Sequence, residues 1–492
     1  MGIVQQQTIK GTFYSYLGVA IGFISLLYFQ TKALTTEQVG LINILSSFSL
    51  MFAQFAILGF NGTARYFPYF RNEEKKNHGY LFLACMVSLC GFVLFTALAY
   101  LFKDQIISSE QQKSNLFDKY FWYLIPLTFF TLFFNVFDLY ARMQYDTTTG
   151  RILNEFAKRL LLLFAIILIF FKSVSFETFM LIWLASNMIP TFLMVRKLKK
   201  DKRLHLQSDL PFLTKDIRKN MIGISVFATL TGCAPLLITN IDKYMINDRF
   251  GLSDTGIYTI AAYLGTIITL PSRSLYSIAY TIVAEAWAKN DLPTIKELYE
   301  KSCVNQLIAA LLLFILIWAN IHNIFEILPP NYGSAKYVIF FMGLGYLIDS
   351  ATGINAVIIA TSKYYKFDSY FHVFLVGLTV ATNFFLIPLY GITGAAIAAC
   401  ITFFAFNLFR YAFIFYLFKL QPYNLKAPLI ILLGIIVYGL STFVPQISNY
   451  WLDIVLRSGF ILISYIFCVY YFNLSEDIVR VLKQYSKKYI GQ

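Results

Sequence analysis

Charge is what this sequence has least of. Asp, Glu, Lys and Arg together make up 13% of its 492 residues, against about 25% in soluble domains, which excludes an ordinary water-soluble globular protein. Histidine is scarce, at four residues. The six cysteines (Cys85, Cys90, Cys233, Cys303, Cys400 and Cys468) lie in or beside apolar runs. With no CxxC pair and no Cys/His cluster, neither a disulfide framework nor a zinc site is indicated, and each cysteine reads as core packing. No loop carries paired carboxylates, and no glycine pattern cradles a phosphate. The longest stretch between apolar runs is residues 196–219, too short for a soluble nucleotide-binding domain.

What is there is apolar sequence. Hydrophobic residues make up 58% of the chain, in runs of roughly 20 residues that recur along the whole length, as in a polytopic helical membrane protein. The runs do not alternate every second residue, which sets a transmembrane barrel aside. The expected class is therefore an all-α polytopic membrane protein with about 14 transmembrane helices. Spans are expected near 11–30, 40–64, 79–102, 120–142, 150–171 and 175–195, then near 220–244, 255–284, 303–321, 335–361, 367–388 and 391–418. A last pair falls near 426–444 and 452–472. The N-terminal stretch lacks a small-residue cleavage site and reads as the first span rather than a signal peptide.

The net charge of +14 does not call for nucleic acid. With the N-terminus in the cytoplasm, 30 of the 40 Lys and Arg fall in cytoplasmic loops and flanks and 8 on the opposite side, leaving Arg273 and Arg457 inside spans. This asymmetry is the positive-inside bias, and it places both termini in the cytoplasm. The basic connector RKLKKDKRLHLQSDLPFLTKDIRK, with nine Lys and Arg, is expected to lie on the anionic leaflet. It separates an N-lobe, 1–195, from a C-lobe, 220–420, with two further helices and a tail in 421–492. ALTTEQVGLINILSSFS (33–49) and RFGLSDTGIYTIAAYLG (249–265) share a Thr/Ser-acidic turn followed by Gly40-Leu41 and Gly256-Ile257. Six spans per unit means that both units cross in the same direction, as parallel repeats with a substrate cavity expected where the lobes meet.

Polar residues at helical spacing mark the wet faces of spans. Ser47, Gln54, Asn61 and Arg65 line up on span two. Span five carries Arg151, Glu155, Lys158 and Arg159, and span eight carries Thr269, Arg273, Tyr276 and Tyr280. Arg65, Lys158 and Arg159 lie near the cytoplasmic end, where long side chains also snorkel to the interface. Glu155 and Arg159 are spaced for an intrahelical pair, and Arg457 is placed to snorkel at the outer face. Arg273 is central, beside Pro271, where an arginine costs roughly 3 kcal/mol. It has two readings: a structural pair with Asp349 of span ten, or a cation lining a hydrated cavity.

The arrangement resembles the superfamily of multidrug, oligosaccharidyl-lipid and polysaccharide exporters, and within it the polysaccharide-transporter branch that includes O-antigen unit flippases. The resemblance is carried by NIDKYMINDRFGLSDTGIYTIAAYL (240–264), LIPLYGITGAAIAACI (386–401), LPPNYGSAKYVI (328–339), GLINILSSFS and LGFNGTARYFP (58–68). It implies a two-lobed carrier, not an enzyme, that opens alternately to each side of the bacterial inner membrane. The implied cargo is an undecaprenyl-diphosphate-linked oligosaccharide moved to the outer leaflet for lipopolysaccharide or related polysaccharide synthesis. Cationic residues would hold the diphosphate, at positions such as Arg273 and Arg65; Lys158 and Arg159 are further candidate cavity cations, and Thr269, Tyr276, Tyr280 and Asn61 lie on the polar faces. Asp349 would respond to a coupling proton or sodium ion; no other cofactor is expected. Glycosyltransferases and a polysaccharide polymerase would work beside such a carrier, among membrane lipids. Alternatives are a peptidoglycan-precursor flippase or a multidrug exporter of the same superfamily; a membrane polymerase or glycosyltransferase is disfavoured by the short loops.

Overall fold

The computed structural model describes residues 3–103, 115–480 and 483, so both chain termini lie outside the described residues. Every regular element among them is helical. Fourteen helical segments follow one another: α1 (3–33), α2 (Thr36–Ala56), α3 (Tyr80–Leu101), α4 (Asn115–Met143), α5 (149–170), α6 (Phe176–Lys200), α7 (Lys215–Phe250), α8 (252–288), α9 (Leu292–Ala319), α10 (336–361), α11 (365–390), α12 (392–418), α13 (Lys426–Ser441) and α14 (Tyr450–Tyr471). Among the described residues nine helices are long and apolar enough to cross a membrane, ten if the pair Pro330–Ala351 and Asn355–Thr361, bent by 52°, is one span. Breaks account for the rest. α5 contains a π-helical turn at Ile152–Ala157, α8 a 3-10 turn at Thr266–Thr269, and α13 is only 16 residues long. α11 and α12 count as one 54-residue stretch.

Local sequence explains several boundaries. Between α11 and α12 the chain reverses at Gly391, whose φ of +59° favours glycine. A Cβ on Gly394 would fall on the Leu386 carbonyl, so the LYGITG stretch permits a close helical hairpin. The ninth span begins at Leu292 rather than near 303 because Asp291 caps it, accepting a 3.1 Å hydrogen bond from the Thr294 amide. The second span ends as α-helix at Ala56, and a left-handed turn at Leu58 and Gly59 leads into the 3-10 helix Phe60–Tyr66. Ahead of α5, Asp146 accepts from the Thr149 hydroxyl at 2.6 Å and the Thr149 amide at 3.0 Å. Burial opposes its charge, but these bonds outweigh it and hold the carboxyl below the usual carboxylate range.

The chain divides into two compact units, 1–257 and 258–492, a contact division that falls within the first turns of α8. α7 belongs to the first unit because glycines let it pack there. A Cβ on Gly59 would strike the Ser225 carbonyl, and one on Gly62 would lie 2.5 Å from the Ala228 methyl. The core of unit 1 joins Phe67, Phe70, Tyr80, Leu132, Phe137, Tyr140 and Met194. The connector is bound to it and does not lie free. His78 meets Asp209 at 2.7 Å and stacks on Phe212 with ring centres 3.8 Å apart, and Lys76 donates to Gln207 at 2.7 Å.

In unit 2 one core packs α8 and α9 against α10 and α12 through Val283, Tyr299, Ile358 and Ile414. A second core docks the last two helices on α9, through Leu307, Leu311, Ile430, Ile461 and Tyr465. Gly434 allows the close approach, since its Cβ would sit 2.6 Å from Leu311 Cδ2.

Candidate functional site

Unit 2 carries a polar network inside its apolar helices. Asp349 on α10 accepts from Asn407 Nδ2 of α12 at 2.9 Å. Asn407 Oδ1 in turn accepts from Thr352 Oγ1 at 2.7 Å and Asn355 Nδ2 at 2.8 Å. One turn further along α12, Arg410 donates to Asp368 of α11 through Nε at 3.0 Å and Nη2 at 2.8 Å, and lies 3.7 Å over the Phe406 ring. His372 Nδ1 is 2.7 Å from the Asp368 carbonyl. Tyr276 of α8 is within electrostatic reach of Asp349 and Arg410, and Tyr280 of Asp368 and Arg410. The structure thus brings Tyr276, Tyr280 and Asp349 into one neighbourhood.

Arg273 does not join Asp349. The two form no ion pair, and among the described residues Arg273 makes neither an ion pair nor a hydrogen bond; its side chain is exposed. It lies in the first turn of helix after the 3-10 turn Thr266–Thr269, where Thr269 Oγ1 donates to the Thr266 carbonyl at 2.8 Å. The neighbouring Ser272 turns the other way, donating to Gln306 of α9 at 2.8 Å and to Ser350 of α10 at 3.3 Å. One face of α8 is therefore fixed to the unit by hydrogen bonds. Thr269, Arg273, Tyr276 and Tyr280, at spacings of four, three and four, form another, on which Tyr280 is 47% exposed.

In unit 1 the candidates fall on two elements. Asn61 and Arg65 sit in the 3-10 helix after α2. Asn61 Oδ1 is buried without a hydrogen-bond partner, and Arg65 is exposed with its guanidinium 5.7 Å from the Tyr66 ring. Gly232 of α7 makes room there: its Cβ would lie 2.5 Å from Gln54 Nε2 and 3.8 Å from Asn61 Nδ2. Lys158 and Arg159 follow the π-helical turn of α5. Among the described residues no ion pair joins either to Glu155, and Arg159 Nη1 is buried with no hydrogen-bond partner. A buried, unsatisfied guanidinium donor costs about 1–3 kcal/mol, and α5 supplies no acceptor for it.

Arg457 does not snorkel. It is 7% exposed and bonded through Nε to Asp453 Oδ2 at 3.0 Å, with Nη1 donating to the Ser441 carbonyl at 2.8 Å. Asp453 also accepts from Asn323 Nδ2 at 2.5 Å and the Ile447 amide at 3.2 Å. The arginine is held in this way because its own helix places an acid four residues back. Sequence reading missed Asn407, Arg410, Asp368 and His372, although Asn407/Arg410 and Asp368/His372 show three- and four-residue spacing within apolar runs.

Neither a family model nor a curated protein matches the chain. Solved structures do. The lipid II flippase MurJ in an inward closed conformation matches with a TM-score of 0.74 at 12% identity, covering 94% of this chain and 98% of that one. An inward-facing multidrug resistance MATE family transporter of the MOP superfamily matches with a TM-score of 0.60 at 14% identity, covering 82% of this chain and 93% of that one. MATE in complex with MaL6 matches with a TM-score of 0.55 at 13% identity, over 84% and 96%. At such low identity the likeness establishes the fold: this chain is an all-helical, multi-pass membrane protein built like the flippases and exporters of that superfamily.

Proposed function

We propose that the chain is a flippase that carries an undecaprenyl-diphosphate-linked oligosaccharide, an O-antigen or related repeat unit, from the cytoplasmic to the outer leaflet by alternating access. The observation that carries the reading is the state of the charges within the helices. The acids Asp349, Asp368 and Asp453 are held by Asn407, Arg410 and Arg457, while Glu155 beside Lys158 and Arg159 makes no ion pair among the described residues. The cations Arg273, Lys158 and Arg159 have no acid partner among the described residues. A cation kept unpaired in the middle of a span, as Arg273 is, costs roughly 3 kcal/mol and suits an anionic cargo.

The chemistry of the cargo fits. A diphosphate offers oxygens that match arginine's planar fork bidentately. Moving its negative charge outward runs down the membrane potential, worth about 2.3 kcal/mol per charge per 100 mV. In this account Arg273 of unit 2 holds the diphosphate, and Arg65, Lys158 and Arg159 are the cations that unit 1 offers to a phosphate. Thr269, Tyr276 and Tyr280 in unit 2 and Asn61 in unit 1 add neutral polar groups to these faces, and no residue is assigned to the sugar. Asp349, tied to its neighbours by a single amide donor, is the group that a coupling proton or sodium ion would address. Glycosyltransferases and a polymerase would supply and consume the cargo at the inner membrane. The parallel duplication of six-helix units belongs to the same proposal. A peptidoglycan-precursor flippase is the second reading, favoured by the fold likeness to the lipid II flippase over 94% of the chain.

Purified protein in proteoliposomes carrying undecaprenyl-diphosphate oligosaccharide should expose the sugar to a membrane-impermeant glycosidase faster than protein-free vesicles do. It should not accumulate an organic-cation dye. Dye transport without sugar exposure would replace this reading with that of a drug exporter.

A further inference from the structure

The connector does more than join helices. At its start it closes a cavity of about 500 Å³ at one end of unit 1, the end that the lysine–arginine bias assigns to the cytoplasm. Arg71 forms part of the wall and is held firmly. Its Nη1 donates to the Tyr145 hydroxyl at 2.6 Å, its Nη2 to the Met143 carbonyl at 3.0 Å, and its guanidinium lies 4.7 Å from the Tyr145 ring. Two of arginine's five N–H donors are used in this way. The connector contributes Lys202, Arg203 and His205. Arg203 is braced by a 3.4 Å bond to the Gln144 carbonyl, while Lys202 is exposed, in a left-handed turn with φ of +55°. The acids in the wall are Glu73 and Asp201, and Lys197 neutralises Asp201 at 2.6 Å.

The strap that brings these cations together is fixed at its far end. A Cβ on Gly79, which has φ of +67°, would lie 2.6 Å from the Gln207 carbonyl and 2.9 Å from the Asp209 amide. Only glycine lets the chain pass there, and the His78–Asp209 pair closes the contact. A preformed cavity within the usual range of about 300–1,000 Å³ for ligand sites, lined by three permanent cations, is suited to a multiply charged anion.

We propose that this cavity is a binding site for a phosphate-bearing group, either the headgroup of an anionic phospholipid or a soluble phosphoanion. Arg71 and Arg203 supply planar forks for phosphate oxygens and Lys202 a mobile point charge. The site is separate from the intramembrane cations and does not depend on the transport reading.

The test is direct binding to the full-length chain in a zwitterionic detergent, measured by native mass spectrometry. The probes are inorganic pyrophosphate, short-chain phosphatidylglycerol and short-chain phosphatidylcholine. Saturable binding of pyrophosphate or of phosphatidylglycerol, but not of phosphatidylcholine, is expected; which of the two binds identifies the soluble or the lipid source. Lys202→Gln with Arg203→Gln should weaken it about tenfold or more, the scale of a lost charged hydrogen bond. Lys202→Gln alone, which removes no packing, should give a smaller loss in the same direction. Lys199→Gln with Lys200→Gln removes equal charge from the exposed end of α6 outside the cavity and should leave binding unchanged. Equal weakening by the two double variants, or no binding of either anion, overturns the proposal.

Discussion

Thr36 and Ser253 share a 2.7 Å hydrogen bond between their hydroxyls, at a crossing where the two repeated motifs meet reciprocally. A Cβ on Gly40 would fall on the Leu252 carbonyl, and one on Gly256 would fall on the Thr36 carbonyl. With the 216-residue offset from Gly40 to Gly256, Thr36 corresponds to Leu252. Each motif therefore presents its glycine to the same place on the other. Any side chain at either glycine would force the pair of helices apart.

If alternating access requires this crossing to open, locking it should stop transport. The double variant Thr36→Cys/Ser253→Cys should form a disulfide on mild oxidation, seen as a loss of free thiol, and oxidised protein should not expose sugar in the vesicle assay. Reductant should restore activity. Full transport by the crosslinked protein would show that the crossing stays closed throughout.

Asp349 should matter for coupling and not for folding. It has one amide donor, and Asn407 can also hydrogen-bond an asparagine, so Asp349→Asn should accumulate and melt like the parent. The imposed proton or sodium gradient should then no longer change the transport rate. An unaltered gradient dependence in the variant would remove Asp349 from coupling.

The buried pair Asp453–Arg457 predicts a different outcome. Arg457→Leu leaves the Asp453 carboxylate buried and unpaired, so stability should fall by about 3–5 kcal/mol, whereas replacing both with apolar residues of similar size should recover most of it. Thermal unfolding in detergent reads both. A single variant that melts like the parent would mean that the pair contributes nothing to docking α14.

Much of the architecture was legible because hydrophobic length is a strong signal. All fourteen expected spans correspond to helical segments, and Pro271 marked the place where α8 breaks its regular hydrogen bonding. The packing of α7 was not legible: Gly59, Gly62 and Gly232 dock it onto unit 1, and such packing leaves no periodic trace. Arg457 misled for a related reason. A charged residue near a helix end reads as snorkelling unless the acid one turn away is weighed, and Asp453 lies there. Asn407 and Arg410 escaped notice because α12 is apolar enough to hide two polar residues three apart. Arg273, by contrast, stood out in sequence and has no ion pair among the described residues.

The most direct test of the account is the affinity of purified protein for a diphosphate-linked lipid oligosaccharide, compared among the parent, Arg273→Ala and Arg273→Lys. Arg273→Ala should weaken binding about tenfold or more, the scale of a lost charged hydrogen bond. Arg273→Lys should fall between, because it keeps the charge but loses the planar fork, and melting temperatures should stay level. Unchanged affinity in Arg273→Ala would contradict the claim that this cation holds the cargo.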